Sequence, residues 1–456
     1  MKDVLIVGAG VTGSFLAKEL SKYELSVVVV EKKSGPGLDQ TKGCSGIIHP
    51  LQLPFGSLKG RLCLKGNAMM DREAEELGFS FKRVGLILVA TNILTFLAIP
   101  LIQLYFRING VRSKRLSRRK VLEMVPNLRE EIWGGLLLPT AGVVNPVEMT
   151  ASACRFAKAN GVEFHYDCEV VGIENRGDHF TVRTTKGDFE ARCVVNCAGL
   201  HADEISRMVG YDMTITPGKG THLVFGERSF SNHLVVAIPL KPNKRTKGGG
   251  ALVSIDGKPV WGPNLIDVES KEDTSVKKGE IDGILAKFSP LFKRRPEEIV
   301  AVYAGVRSIA GKDFVINQPI RNFINVAGIQ SPGLTAAPAI AEMVVEMLSS
   351  IFELRKKDDL KKPEWKRLSE MDEMEINRAV AEDENFGEIV CICNMVSKAE
   401  ILNALEEGRC FDTVKHLTRA GMDCCRCHAS IIRIMYEHAG EAKKEIEGSD
   451  IAWSMQ

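Results

Sequence analysis

The chain opens on Asp3-Val4-Leu5-Ile6-Val7-Gly8-Ala9-Gly10-Val11-Thr12-Gly13 and, one helix length later, reaches Leu25-Ser26-Val27-Val28-Val29-Val30-Glu31. An apolar strand ending in Gly8, Gly10 and Gly13 makes a tight turn. It brings backbone N–H groups up to a pyrophosphate and lets the next helix pack closely on the strand. The helix N-terminus adds partial positive charge toward the same anion. Glu31, at the end of the second strand, can accept both ribose hydroxyls and would repel a 2′-phosphate, which favours FAD or NAD over NADP. Strand, glycines, helix, strand and acid in this order predict a dinucleotide in the first turn of a Rossmann-like unit.

Working outward, the same logic recurs twice. Cys193-Val194-Val195-Asn196-Cys197-Ala198-Gly199 is an apolar strand whose small final residues, Ala198 and Gly199, let backbone lie against a cofactor. Phe323 to Ala327 reads as a strand, followed by a turn through Gly328 and Gly333-Leu334-Thr335 and a long helix to Leu348. The N-terminus of that helix can point at polar cofactor atoms, typically the pyrimidine side of a flavin. Residues 214 to 265 alternate apolar and polar positions, as in a mostly antiparallel sheet that would roof a flavin and hold a substrate pocket.

The expected fold class is α/β plus α+β, with a Rossmann-like FAD-binding domain, an antiparallel-sheet substrate domain and a small helical C-terminal metal-cluster domain. The FAD-binding domain is expected to be discontinuous, over 1–90, 140–210 and 300–350. The substrate domain takes 91–139 and 211–299, a linker 351–386, and the cluster domain 387–456.

A chain of 456 residues exceeds the usual single-domain size, so roughly two or three units are expected. Its 60 basic and 58 acidic residues leave a formal charge of +2, too little to steer nucleic acid, and no nucleic-acid partner is expected. No secretory signal precedes the first strand, so the expected location is the cytoplasm. Ile93 to Phe106 departs from this soluble pattern, being almost wholly apolar and followed by Arg107, Arg112, Lys114, Arg115, Arg118, Arg119 and Lys120. It is shorter than the roughly 20 residues that span a bilayer. One reading is a buried helix or subunit contact. The other is a peripheral contact through 93–106 with the inner face of the cell membrane, the basic run meeting anionic lipid.

Six of the twelve cysteines lie beyond residue 390. Cys391-Ile392-Cys393 and Cys424-Cys425-Arg426-Cys427 form a C-x-C and a C-x-x-C pair that can converge four thiolates on one site, suited to zinc or to an iron–sulfur cluster. A redox flavin elsewhere in the chain gives electrons a reason to arrive, which favours the cluster. Cys424 and Cys425 compete for the third position, and the predicted set is Cys391, Cys393, Cys424 and Cys427. Cys410, Cys63, Cys154, Cys168, Cys193 and Cys197 read as packing residues.

Several segments together resemble the D-amino-acid-oxidase superfamily of flavoproteins and, within it, the FAD-dependent glycerol-3-phosphate dehydrogenases. They are the Gly8–Gly13 turn with Glu31, Gly43-Cys44-Ser45-Gly46-Ile47-Ile48-His49, Pro139-Thr140-Ala141-Gly142-Val143-Val144, Asn196 to Gly199, Lys219-Gly220-Thr221-His222-Leu223, Ala304-Gly305-Val306-Arg307 and Gly328 to Thr335. The tail resembles the small [2Fe-2S] module named after bacterioferritin-associated ferredoxin. L-2-hydroxyglutarate and amino-acid dehydrogenases share the Ser45–His49 segment and Gly56-Ser57-Leu58-Lys59. Membrane-type glycerol-phosphate enzymes usually carry a Gly-Gly-Lys-Leu-Thr-Thr stretch where this chain has Gly328-Ile329-Gln330-Ser331-Pro332-Gly333.

The resemblance implies FAD held by Gly8, Gly10, Gly13, Glu31, Cys44, Ser45, Gly46, Ala198, Gly199, Gly328, Gly333, Leu334 and Thr335. Dehydrogenation of an alcohol at a flavin further needs a base for the hydroxyl proton and cations for the substrate's acid group. Arg307, always charged and forked, suits a phosphate or carboxylate. His222 and His49 are the base candidates. Lys312 is a candidate second cation or a solvated lysine, and Lys59 has no assigned role.

The expected reaction is oxidation of a small anionic substrate, sn-glycerol 3-phosphate, to dihydroxyacetone phosphate. Electrons would then pass through the cluster to a quinone or an acceptor protein. A 2-hydroxyacid or amino-acid dehydrogenase, and an electron-transfer subunit without substrate chemistry, are the alternatives. A homodimer is the default expectation.

Overall fold

A computed structural model describes residues 1–239, 248–363 and 365–439. Strand β1 (Lys2–Val7), helix α1 (Val11–Leu20) and strand β2 (Val27–Val30) form the expected unit. Further along the chain come helix α2 (Leu58–Leu77), strand β3 (Leu86–Ala90), helix α3 (Ile93–Ile108) and strands β4 (Gly187–Asn196), β5 (Thr216–Phe225), β6 (Ile299–Ile309) and β7 (Phe323–Ala327). Helix α4 (Gly333–Leu348) follows β7 directly.

β1 lies at the centre of an eight-stranded sheet, parallel to β2 on one side and to β4 on the other. β7 continues the parallel set beyond β4, with Val194 opposite Phe323 and Asn196 opposite Asn325. These strands are buried on both faces, which is why they read as unbroken apolar runs rather than alternating ones. α1, α2 and α4 cover one face. The fully buried Lys18 of α1 ties the layer together, its Nζ 2.7 Å from Glu73 and 2.6 Å from Glu76 of α2 and 2.9 Å from Glu19.

A second sheet of nine strands makes the roof. Two of its strands, β3 and β6, fall in segments that the sequence reading placed in the FAD-binding domain. β3 pairs with Gly134–Leu138 and Leu234–Ala237, and β6 runs antiparallel along β5 from Thr216↔Ile309 to Phe225↔Ile299. An apolar strand can join either sheet, and the partner that decides lies more than forty residues away in sequence. The β3 pairing with Leu234–Ala237 is parallel, so the roof is mixed. The expected edges at 90 and 300 therefore give way to chain crossings before β3 and after β6.

α3 rests on the edge of this roof and is not the buried helix of the first reading. Thr95, Ile99 and Phe106 are buried, whereas Leu94, Leu97, Leu101, Leu104, Tyr105 and Ile108 are exposed, Leu101 at 72%. A helix apolar all round needs partners on every side. Here the sheet supplies only one. Among the described residues no helix is long and apolar enough to cross a membrane.

The tail has its own small core, built from Ile401, Leu405, Val414, Leu417, Ile431 and Met435, and shares it with Ala151 of the nucleotide domain. Glu407 lies 3.2 Å from Arg155 and 2.9 Å from Lys158. The preceding connection is ordered where it counts: Arg367, 4% exposed, sits 2.7 Å from Glu148 and donates to the Leu417 carbonyl at 3.4 Å. The last part of the expected cluster domain, 440–456, lies outside the described residues.

Candidate active site and cluster site

The nucleotide loop is as tight as its glycines require. Gly8 sits at φ +102°, and a Cβ there would stand 2.6 Å from the Cys197 carbonyl oxygen, while one at Gly13 would meet the Gly8 oxygen at 2.0 Å. That contact presses the Cys197–Gly199 turn against the loop and brings Ala198 and Gly199 to its side. Glu31 accepts the Ala9 N–H at 2.7 Å through one carboxylate oxygen and the Lys33 N–H at 2.8 Å through the other. Burial pushes its carboxyl above the usual value, and the two N–H donors pull it back. Each oxygen keeps a lone pair for a ribose hydroxyl. Gly10, the N-cap of α1, brings no capping side chain. Thr41, which sequence reasoning missed, accepts the Val11 N–H at 3.1 Å.

The segment from Gly43 to His49 crosses from this loop to the head of α4. The His49 N–H donates to the Thr335 hydroxyl at 2.8 Å, and its ring Nε2 lies 3.1 Å from the Ser331 hydroxyl. The His49 carbonyl accepts from Asn67 of α2 at 2.9 Å. The bonds to Thr335 and Ser331 tie the turn after β7 and the head of α4 to the Ile47–His49 end of that segment. Cys44 is held as a neutral thiol, burial pushing it up to about 11.

The roof contributes one face of two paired strands. Residues two apart on a strand share a face. Gly218, Gly220 and His222 of β5 therefore line up with Arg307, Gly305 and Tyr303 of β6, their direct partners. His222 stacks on Tyr303 with ring centroids 4.7 Å apart at 13°. Between that stack and Arg307 the two glycines admit close neighbours: a Cβ at Gly220 would stand 3.1 Å from an Arg307 guanidinium nitrogen and from Pro263, and one at Gly305 would meet the Gly43 oxygen at 2.3 Å. His222 is 2% exposed, and neither ring nitrogen has a hydrogen-bond partner among the described residues. Burial first, and the positive Arg307 second, lower its pKa to about 3, so the ring is neutral.

Burial also lowers the pKa of Arg307, and among the described residues no carboxylate pairs with it. An enclosed guanidinium without a counter-ion beside an imidazole with two unused nitrogens is a costly arrangement that an anion carrying a hydroxyl would satisfy.

Lys312, the candidate second cation, does not join this group, and neither do Lys59 and Lys219. Lys312 is exposed, and its carbonyl accepts from Lys59 Nζ at 2.6 Å. Lys59 is thus a structural residue of the α2 N-terminus, where Asp313 accepts the N–H groups of Leu58 and Lys59 at 2.7 and 2.9 Å. Lys219, on the opposite face of β5, is occupied by the Ser275 carbonyl at 2.6 Å and by Glu280 at 3.2 Å.

In the tail, the sulfurs of Cys393 and Cys424 are 3.1 Å apart, and the buried thiols of Cys391 and Cys427 are hydrogen-bonded to each other. Cys425 is turned away, at φ +60° with its sulfur on the Gly421 carbonyl at 3.4 Å. The four thiols lie as two close pairs, soft donors of the type an iron–sulfur group takes, and among the described residues no three such groups are gathered as around a metal ion. Asp423, beside Cys424, is clamped to the roof: Lys258 stands 2.9 Å away, Arg228 3.0 Å, and Lys258 also donates to the Met422 carbonyl. On the flavin side Lys42, next to Gly43, pairs with Asp412 at 2.5 Å, and Asn145 donates to the His416 carbonyl.

A dinucleotide loop, a roof strand whose buried cation has no carboxylate partner among the described residues, and a thiol-rich tail define a flavin oxidoreductase with an attached electron-transfer module. Residues 3–347 match the family described as FAD dependent oxidoreductase (DAO), and residues 389–437 match the BFD-like [2Fe-2S] binding domain. The chain belongs to the DAO family of FAD-dependent oxidoreductases, so FAD and not NAD is its dinucleotide, and its tail is a [2Fe-2S]-binding domain.

The chain is similar to a glycerol 3-phosphate dehydrogenase of Caloramator mitchellensis, 35% identical over 99% of this chain and 98% of that one. An L-2-hydroxyglutarate dehydrogenase of Escherichia coli is 31% identical over 58% of this chain and 64% of its own length. The solved structure of a dithionite-reduced L-alpha-glycerophosphate oxidase from Mycoplasma pneumoniae with FAD bound aligns with a TM-score of 0.74. That pair is 25% identical and covers 80% of this chain and 99% of the oxidase.

Proposed function

We propose that the enzyme oxidises sn-glycerol 3-phosphate to dihydroxyacetone phosphate and sends the electrons through its C-terminal cluster to a quinone or an acceptor protein. The observation that carries the substrate class is Arg307, buried and without a carboxylate partner among the described residues, on one face with His222 and on the strand that Gly305 sets against Gly43. Similarity to the Caloramator mitchellensis dehydrogenase over nearly the whole length supports the phosphate ester. The carboxylate-bearing L-2-hydroxyglutarate is the second reading, because a forked guanidinium binds either anion and the Escherichia coli relative covers more than half of the chain.

Bound FAD supplies a hydride acceptor for the carbinol carbon. The protein's part is to hold and deprotonate. Arg307 fixes the acid group bidentately, which turns the substrate so that its carbinol end lies toward His222. The neutral His222 ring accepts the hydroxyl proton as the C–H bond breaks. A dianion on Arg307 cancels the charge that depresses this imidazole, so substrate binding itself raises the basicity of the base. His49, held by Ser331 and Thr335, fixes the end of the segment whose Cys44–Gly46 part would help hold the bound flavin. Cys391, Cys393, Cys424 and Cys427 would hold the cluster, which when bound would supply a one-electron outlet that a plain oxidase does not need.

Anaerobic absorbance titration of the holoenzyme tests the reading. Glycerol 3-phosphate should bleach the flavin and then the cluster, and glycerol should not. Bleaching by L-2-hydroxyglutarate or proline alone would transfer the site to the second class. A flavin that stays yellow with every substrate would mark an electron-transfer subunit.

A further inference from the structure

The outward face of α3 is not used by the fold or by the proposed chemistry. Leu94, Leu97, Leu101, Leu104, Tyr105 and Ile108 follow one another at helical spacing and are all exposed, and Trp133, 47% exposed, extends the patch through its ring contact with Phe96. Beneath it the helix is firmly seated. Phe106 packs on Phe55 at 6.2 Å, and Asn92 and Thr95 form a reciprocal N-terminal cap.

From residue 93 to residue 120 the chain has no acidic residue and seven basic ones, all exposed, although the whole protein carries only +2. Arg118, Arg119 and Lys120 are partly neutralised by Glu130 and Glu123. Arg107, Arg112, Lys114 and Arg115, nearest the C-terminal end of α3, have no ion pair among the described residues.

We propose that this face docks on an anionic lipid bilayer, with α3 lying in the plane of the interface and the basic run against the headgroups. Charge decides the occupant. A two-fold contact between copies would bring the same cationic rim against itself, and like charges at an interface repel. A bilayer meets an apolar stripe with acyl chains and a cationic rim with phosphate. Tyr105 and Trp133 are residue types that settle at headgroup level. At 16 residues the helix is about 24 Å long and lies on the membrane without crossing it. The proposal does not depend on which substrate the site takes.

The test is cosedimentation of the full-length holoenzyme with vesicles of phosphatidylcholine alone and with added phosphatidylglycerol. The wild type should sediment with the anionic vesicles only and lose binding as salt rises. Leu97→Glu with Leu101→Glu should weaken binding by about tenfold or more. Arg112→Gln with Lys114→Gln should flatten the salt dependence, and both variants should keep full activity with a soluble dye acceptor. The proposal is overturned if the wild type ignores both vesicles. It is overturned equally if binding survives the double glutamate variant, or if that variant only converts a dimer to a monomer.

Discussion

Gly43 and Gly305 meet backbone to backbone: a Cβ at Gly43 would lie 2.5 Å from the Gly305 Cα, and one at Gly305 would lie 2.3 Å from the Gly43 oxygen. The strand that carries Arg307 is thereby set directly on the segment that carries Cys44. Roof and cofactor loop cannot separate by even one methyl group without losing their relation.

Gly305→Ala should therefore act on both. We expect a loss of about 1–3 kcal/mol in stability from overpacking and a purified protein with a lower flavin-to-protein absorbance ratio. Full flavin content at unchanged stability would show that the two segments can move apart.

Arg307→Lys keeps the charge and removes the fork. For a bidentate phosphate the expected fall in kcat/KM is about 100-fold, or about 2.7 kcal/mol. Thermal stability should hold or rise slightly, since an enclosed unpaired charge contributes little to folding. A large drop in melting temperature with unchanged kcat/KM would instead make Arg307 a structural residue.

Folding stability should depend on pH through His222. Burial, followed by Arg307, holds the imidazole at about 3 in the folded chain, against about 6.5 when unfolded. Between those values the unfolded chain binds the extra proton, so stability rises with pH. The contribution is complete above about 6.5 and is lost as the pH falls toward 3, with a slope of at most about 1.4 kcal/mol per pH unit. His416, which burial lowers to about 4, adds in the same direction. Urea midpoints measured at pH 7 and pH 5 should differ less in His222→Gln than in the wild type.

Cys424→Ser and Cys425→Ser make a matched pair. The first should abolish iron and sulfide binding, and the second should leave both intact, because the Cys425 sulfur points at the Gly421 carbonyl. Iron and acid-labile sulfide analysis with the visible spectrum reads this directly. Loss of the cluster in Cys425→Ser would reverse the assignment.

The parts of this molecule that were readable in advance are those whose signal is local. Gly8, Gly10, Gly13 and Glu31 announce their loop because turn, helix start and acid lie within one βαβ unit, and the twin cysteine pairs announce a soft donor set by spacing alone. Spacing could not choose between Cys424 and Cys425. The fold adds what spacing lacks, a Cys424 sulfur beside Cys393 and a Cys425 sulfur on the Gly421 carbonyl, and the matched pair of variants tests the choice. Nor could it assign β3 or β6, whose apolar patterns suit either sheet until a distant partner is known. Thr41, Tyr303 and Asp423 escaped because a threonine, a tyrosine or an aspartate acquires meaning only from what the fold places beside it. For α3 the apolar run suited burial, a subunit contact or a membrane contact alike, and the fold excludes only burial within the chain, because no second layer of described residues covers the helix.

The seam between the tail and the nucleotide domain has a practical consequence. Ala151 belongs to the core of the tail, Glu407 balances the partly buried Arg155, and the Arg367 guanidinium answers Glu148. A chain cut near residue 350 would keep Arg155 and Glu148 without those partners and bare an apolar floor. The ferredoxin-like segment is part of the oxidoreductase's own wall, so a shortened version should be expected to aggregate before it could report on catalysis.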